Sequence, residues 1–247
     1  MNCPDTLCPA ISISSTRREF ATGAAVGKMK FLSNPQDFPA FMKKYYINRY
    51  SLFSKYDSGI LMDHGIIMIL KLESWFSVTP EKIAAHITSK VPSQVKIIVD
   101  AFCGCGGNTI QFARQYKVIA IDIDPVKIEA AKNNAIIYNV LDNITFICGD
   151  VFQVLPTLDK IDLIFASVPW GGPSYSKQDQ INIDDLPIST TSLNKSFKQK
   201  TDLVIFFMPR NINVQEMISL RRNRLSRLEI EETWLNDRLK NLTFYYF

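Results

Sequence analysis

The chain has 247 residues, 47% hydrophobic and 21% charged, with a net charge of +4. Those values fit a soluble globular protein of one large domain or two small ones, long enough to bury a substantial core. The mild positive charge permits an anionic partner without demanding one, and the longest apolar run, residues 65 to 70, is far too short to span a bilayer.

The first thirty residues lack the basic start and apolar core of a secretory signal. Five cysteines without a Cys-x-x-Cys pair, and two histidines standing apart (His64, His86), give no zinc pattern, so no metal is expected. Reduced thiols fit the cytosol or nucleus better than a disulfide framework.

Residues 1 to 36 are rich in Ser, Thr, Gly and Pro without sustained periodicity, and read as a flexible leader. Over residues 38 to 56, Phe38, Phe41, Tyr45, Ile47, Leu52 and Phe53 alternate with Lys43, Lys44, Arg49 and Lys55. That pattern predicts an amphipathic helix with a basic flank. Its lysines are either solvated or, beside a nucleotide site, available to phosphates. Ile66-Ile67-Met68-Ile69-Leu70 reads as a strand or an apolar insertion. Trp75-Phe76-Ser77-Val78-Thr79-Pro80-Glu81 marks a helix start, with Thr79 at the cap and Pro80 in the first position. Residues 37 to 92 therefore read as a helical N-terminal extension, and residues 93 to 247 as the main domain.

The centre of that domain is Ile97-Ile98-Val99-Asp100-Ala101-Phe102-Cys103-Gly104-Cys105-Gly106-Gly107-Asn108-Thr109: strand, acid, glycine turn, helix start. Such a turn lets the backbone approach a ligand, although a tight strand-to-helix turn alone would use the same residues. A second strand ends at Asp122-Ile123-Asp124-Pro125, with Asp122 placed for a ribose diol and Asp124 as the cap of the next helix. A third strand, Ile144–Cys148, leads to Gly149-Asp150-Val151. Asp100, Asp122 and Asp150 are thus expected to converge at one sheet edge. Strands alternating with helices predict a parallel, doubly wound Rossmann-like sheet. No Gly-Lys-Ser/Thr follows the glycines, and the third glycine of a nicotinamide site is missing. With Asp150 available for an adenine amino group, S-adenosylmethionine is the better cofactor.

A fourth strand runs into Ser167-Val168-Pro169-Trp170-Gly171-Gly172-Pro173-Ser174-Tyr175. The tryptophan either lids the core or stacks on a flat base, as the polar-Pro-aromatic segment of amine methyltransferases does. Residues 176 to 200 suggest a loop and a short helix, 203 to 208 a buried fifth strand, and 228 to 247 a final hairpin. Arg221, Arg222, Arg224 and Arg227 form a basic cluster, either solvated or facing an RNA backbone.

Asp100-Ala101-Phe102-Cys103-Gly104, Ile119-Ala120-Ile121-Asp122-Ile123-Asp124-Pro125, Phe146-Ile147-Cys148-Gly149-Asp150 and Pro169-Trp170-Gly171-Gly172-Pro173 resemble the trimethylguanosine synthases, the cap hypermethylases. Trp75-Phe76-Ser77-Val78-Thr79-Pro80 and Met208-Pro209-Arg210-Asn211 match as well, so the resemblance covers residues 40 to 247. It implies a class I methyltransferase with a seven-stranded sheet and a small helical N-terminal addition. The implied reaction carries methyl from S-adenosylmethionine to the exocyclic N2 amine of 7-methylguanosine caps on small nuclear and nucleolar RNAs, in two rounds. It implies Phe53, Thr79, Asp100, Asp122 and Asp150 around the cofactor, a set that Gly104, Asn108, Ile123 and Val151 complete. It also implies Trp170 stacked on 7-methylguanine with Ser77 on the other face, Lys44, Tyr175 and Arg210 near the cap phosphates, and Asn134 and Glu73 as base contacts. Small nuclear ribonucleoprotein components as partners, and a nuclear location (nucleolus or Cajal body) with some cytoplasmic protein, follow from the same resemblance. Two departures stand out: Val168 where the family has proline, and a longer apolar stretch around Ile66 to Leu70.

The chemistry suits these residue types. A 7-methylated guanine is cationic, and a cation on a tryptophan face gains about 0.5–2 kcal/mol. The methyl donor is already activated, so alignment is the main task, and Ser167 with the Pro169 carbonyl can orient the amine and receive developing positive charge. Two other functions compete: a guanine-N2 or adenine-N6 methyltransferase acting on internal RNA bases, and a catalytically silent cap-binding module.

Overall fold

Ile97-Ile98-Val99, Val118-Ile119-Ala120-Ile121 and Leu163-Ile164-Phe165-Ala166 are apolar on both alternating faces. Such strands are stable only where both faces are covered, which is the condition of a parallel sheet between helical layers. A computed structural model describes residues 18–19, 25–31, 58–63, 66–71, 78–221, 227–235 and 238–247. Its strands are β1 (Arg18–Glu19), β2 (Ala25–Phe31), β3 (Ser58–Asp63), β4 (Ile66–Lys71), β5 (Ile97–Asp100), β6 (Lys117–Asp122), β7 (Ile144–Cys148), β8 (Leu163–Ala166), β9 (Leu203–Pro209), β10 (Leu228–Leu235) and β11 (Arg238–Tyr246). The helices are α1 (Glu81–Ser89), α2 (Gly107–Ala113), α3 (Pro125–Ile137), α4 (Val151–Val154), α5 (Thr190–Phe197) and α6 (Val214–Ser219).

One sheet takes the order β1-β2-β10-β11-β9-β8-β5-β6-β7. Strands β9-β8-β5-β6-β7 are parallel, whereas β11 runs antiparallel to both β9 and β10. The seven strands from β10 to β7 form a mixed sheet of the size that the resemblance implies. Alternation sorts the core into two layers, as a two-residue period requires. Val99, Ile121, Ile164, Phe206 and Phe244 pack on one face, and Ile98, Val118, Phe165, Ile205 and Tyr245 on the other. The chain steps outward from β5 to β6 and β7, then returns to β8 on the other flank of β5. That reversal opens a crevice at the carboxyl end of β5, where open α/β sheets take their ligands.

Helix α1 is tied to the terminal hairpin by a partly buried polar cluster. Glu231, 5% exposed, receives the Tyr245 hydroxyl at 2.9 Å and meets His86 Nε2 at 2.9 Å. Lys90 Nζ donates to Glu229 at 2.6 Å. Burial and the Glu231 carboxylate push the Tyr245 hydroxyl well above its ordinary pKa, so it stays a donor. Glu231→Ala would leave the buried Tyr245 hydroxyl and the half-buried His86 ring without this partner and should cost about 2–3 kcal/mol. Chemical denaturation measures it; a loss under about 1 kcal/mol would mean that the cluster contributes nothing to seating α1.

The expected order of strands and helices from residue 93 onward is observed, including the buried fifth strand and the terminal hairpin. The N-terminal part differs. Residues 1 to 36, read as a flexible leader, contain β1 and β2, with β2 parallel to β10. The short alternation Lys28-Met29-Lys30-Phe31 has the two-residue period of a strand. In the segment read as helical, Ser58–Asp63 and Ile66–Lys71 form an antiparallel hairpin that is a sheet of its own; the apolar insertion is its second strand. The helix expected over residues 38 to 56 lies outside the described residues.

Candidate active site

Three glycines shape the turn after β5. Gly104 and Gly106 take left-handed backbone, at φ +52° and +90°, which L side chains resist. A Cβ on Gly104 would meet nothing within 4 Å, so the backbone there borders open space. Gly107 is needed for a different reason: a Cβ would come within 2.8 Å of Val78 Cγ2 and 3.3 Å of the Thr79 carbonyl oxygen. Gly107→Ala should therefore push the start of α1 off the turn, with about 1–3 kcal/mol lost in stability and weaker cofactor binding. Melting curves and an S-adenosylhomocysteine titration test this; an unchanged pair would show that the approach is not tight.

Asp122, 8% exposed, holds the turn from the neighbouring strand. Its Oδ2 accepts from the Gly104 N–H at 2.9 Å and its Oδ1 from the Asp124 N–H at 3.0 Å. Asp124 caps α3 through the Val126 N–H at 2.8 Å, with Pro125 in the first turn, as its sequence predicts. Asp150 caps α4 through the Phe152 N–H at 2.9 Å. Asp122 and Asp150 both line one cavity of about 610 Å³, together with Thr79, Gly104, Asn108, Ile123 and Val151.

Asp100 departs from its expected place. It is 1% exposed and off the cavity wall. Its Oδ2 accepts from the Thr109 hydroxyl at 2.6 Å, pinning the first turn of α2, while Oδ1 is buried without a partner. Burial raises its pKa from 3.8 to about 7 against the lowering effect of Thr109. Burial, with Asp100 and Asp122 nearby, also pushes the Cys103 thiol well above its ordinary value, which removes it as a nucleophile.

Thr79 is also corrected in role. Helix α1 has Pro80 at its cap and no side-chain cap bond. The Thr79 hydroxyl instead accepts from Asn108 Nδ2 at 2.8 Å, tying the start of α1 to α2. Asn108 Oδ1 is buried without a partner on a residue that lines the cavity. An unpaired acceptor beside open backbone suits a ligand that carries an ammonium group, and two carboxylates beyond it suit a ribose and an amino-purine. The residues present fit S-adenosylmethionine.

The loop after β8 forms the opposite wall. Ser167, Pro169, Trp170 and Tyr175 all line the same cavity, and the Ser167 hydroxyl has no hydrogen-bond partner among the described residues. Val168 is 1% exposed: the family's proline is replaced by a residue that anchors the loop in the core. Trp170 is braced from β9, its indole nitrogen donating to the Phe207 carbonyl at 3.4 Å and its ring parallel to Phe207 at 5.8 Å. Tyr175 meets Trp170 nearly at right angles, centroids 5.1 Å apart, and Arg210 Cζ lies 5.8 Å from the Tyr175 ring. Arg210 is thus behind Tyr175 rather than on the cavity wall.

Asn134 does not reach the cavity. It is 0% exposed and donates to the Cys105 carbonyl at 2.9 Å, so it supports the glycine turn from α3. Lys44, Phe53, Glu73 and Ser77 lie outside the described residues. Lys127 also lines the cavity, unannounced by any motif because it is one of two lysines on α3. Among the described residues no group of three or more His, Cys, Asp or Glu stands close enough to hold a metal ion, and no helix is long and apolar enough to cross a membrane.

Solved structures share this fold. A methyltransferase of Porphyromonas gingivalis superposes with a TM-score of 0.61 at 14% identity, over 87% of this chain and 52% of that one. The M. jannaschii tRNA m1G37 methyltransferase superposes at 0.53 and 19%, over 77% and 56%. In sequence, the trimethylguanosine synthase of Schizosaccharomyces pombe is 45% identical over 187 residues, 72% of this chain and 75% of that protein. That of Saccharomyces cerevisiae is 37% identical over 192 residues, 74% of this chain and 59% of that protein. The family model described as RNA cap guanine-N2 methyltransferase matches residues 95–247, which carry both walls of the cavity apart from the Val78-Thr79 edge. This chain belongs to that family, and is an S-adenosylmethionine-dependent guanine-N2 methyltransferase.

Proposed function

We propose that this protein methylates the N2 amine of 7-methylguanosine caps twice, giving the 2,2,7-trimethylated cap of small nuclear and nucleolar RNAs. One observation carries the reading: a braced tryptophan and a serine hydroxyl unpaired among the described residues share a cavity with two strand-end carboxylates. The carboxylates suit the adenosine of the cofactor, Asp122 at the ribose and Asp150 at the adenine edge, with Thr79, Gly104, Asn108, Ile123 and Val151 shaping the space between.

S-adenosylmethionine supplies a methyl already activated on a sulfonium. The chain's own residues have to hold the amine in line and exclude other approaches, which can contribute roughly 7–11 kcal/mol. Ser167 and the Pro169 carbonyl orient the amine and accept its developing positive charge. Trp170 takes the face of the cationic purine, favouring it over plain guanine by about 0.5–2 kcal/mol. Arg210 behind Tyr175, with Lys44, supplies charge for the cap phosphates. The resemblance assigns Glu73 and Ser77 to the base as well. A nuclear location, with nucleolar or Cajal-body pools and some cytoplasmic protein, and contact with small nuclear ribonucleoproteins go with such substrates.

The experiment is to incubate the protein with 7-methyl-capped RNA and S-adenosylmethionine, then weigh the released cap. Two added methyls are expected. Methylation confined to internal bases, or cap binding with no S-adenosylhomocysteine released, would overturn the proposal.

A further inference from the structure

Trp170 and Tyr175 lie at the ends of a short segment that starts with two glycines. Gly171 and Gly172 both take left-handed backbone, at φ +83° and +75°. A Cβ on Gly172 would meet nothing within 4 Å, so the chain borders open space on that side. Gly172–Lys177 follows as a 3-10 turn, whose hydrogen-bond geometry is poorer than that of an α-helix. At the far end of the segment one side chain reaches two main-chain carbonyls. Asn211 Nδ2 donates to the Tyr175 carbonyl at 3.0 Å and to the Gln178 carbonyl at 2.7 Å.

Asn211 is held firmly itself. Its carbonyl accepts from the Ile181 N–H at 2.8 Å, and the Asn213 N–H returns a bond to Ile181 at 2.8 Å. It directly follows Arg210 at the end of β9, the strand whose Phe207 carbonyl receives the Trp170 indole. The segment at the end of β9 therefore holds the Trp170 indole and the main chain at Tyr175. Two carbonyl acceptors require a side chain with two N–H donors, which an amide has and a carboxylate lacks. Asn211 Oδ1 is buried with no partner, so only the donor end of the amide is used.

We propose that Asn211 is a positioning residue, whose two amide hydrogens set the angle and distance of Tyr175 to Trp170 and so the shape of the slot that takes the methylated purine. The proposal rests on the cap reading above. Without the clamp, the glycine-hinged segment samples other courses and the slot must be ordered at the expense of binding.

The test is fluorescence titration of 7-methyl-GTP, and calorimetric titration of S-adenosylhomocysteine, on the full chain and on Asn211→Ala and Asn211→Asp. Both variants should bind 7-methyl-GTP about tenfold more weakly, with S-adenosylhomocysteine affinity held within about twofold. In turnover assays the KM for capped RNA should rise while the KM for S-adenosylmethionine stays. Asn211→Asp preserves shape without donors, so near-normal cap affinity in it overturns the proposal, as does an equal loss for both ligands. If the unsubstituted protein fails to prefer 7-methyl-GTP over GTP, it is the cap reading that fails instead.

Discussion

Replacing Trp170 with alanine is expected to weaken 7-methyl-GTP binding by about two orders of magnitude while leaving S-adenosylhomocysteine affinity within about threefold. The estimate joins about 2 kcal/mol for a desolvated cation on an indole face with about 1 kcal/mol for an aromatic pair, each 1.4 kcal/mol being a factor of ten. The cofactor should be spared because the two carboxylates proposed to hold it stand at the end of β6 and just after β7, whereas Trp170 is held from β9. Some stability will also be lost, since the indole packs on Phe207 and Tyr175. Trp170→Phe controls for this: it keeps an aromatic face and should recover a large part of the affinity. Tryptophan quenching and calorimetry give the two affinities. Parallel losses for nucleotide and cofactor would identify Trp170 as a packing residue only.

The second large effect concerns Asp100, whose pKa burial lifts from 3.8 to about 7. A carboxyl with a raised folded-state pKa binds its proton more tightly in the folded than in the unfolded chain. Its contribution to stability is thus complete below about pH 4 and is lost as pH rises through about 7. From about pH 5 to about pH 8 this one group should remove about 3 kcal/mol. Asp100→Asn resembles the neutral form and keeps an acceptor for the Thr109 hydroxyl. Its denaturation free energy should therefore change little over that range and exceed the parent's at the alkaline end. Urea titrations at both pH values decide it, and two parallel profiles would mean that the carboxyl is ionised throughout.

Much of the methyltransferase domain was legible because its signals are local. Apolar runs of strand length, the Asp-Pro cap at Asp124 and Pro125, and the glycine turn each follow from neighbours a few residues away. Asp100 was harder to read. An acid at a strand end looks the same whether it faces a crevice or a core, and only the packing of α2 over β5 decides. Thr79 followed the cap rule for a Thr-Pro pair, but Asn108, distant in sequence, claimed its hydroxyl. Asn134 has the spacing of a helix residue that could face either way, and its partner is a carbonyl in the glycine turn. The strand β2 was hidden by composition: a short alternation among Gly, Ser and Thr carries little periodicity.

Asp122 carries one further consequence. Each of its oxygens already receives a main-chain amide, from Gly104 and from Asp124, so the carboxylate and the loop around it form a single rigid fixture. Substituting this residue would change the loop and the proposed sugar contact together, so a weakened variant mixes the two losses. A cofactor analogue with its 2′ or 3′ hydroxyl removed leaves the protein untouched, and its deficit reads the sugar contact alone.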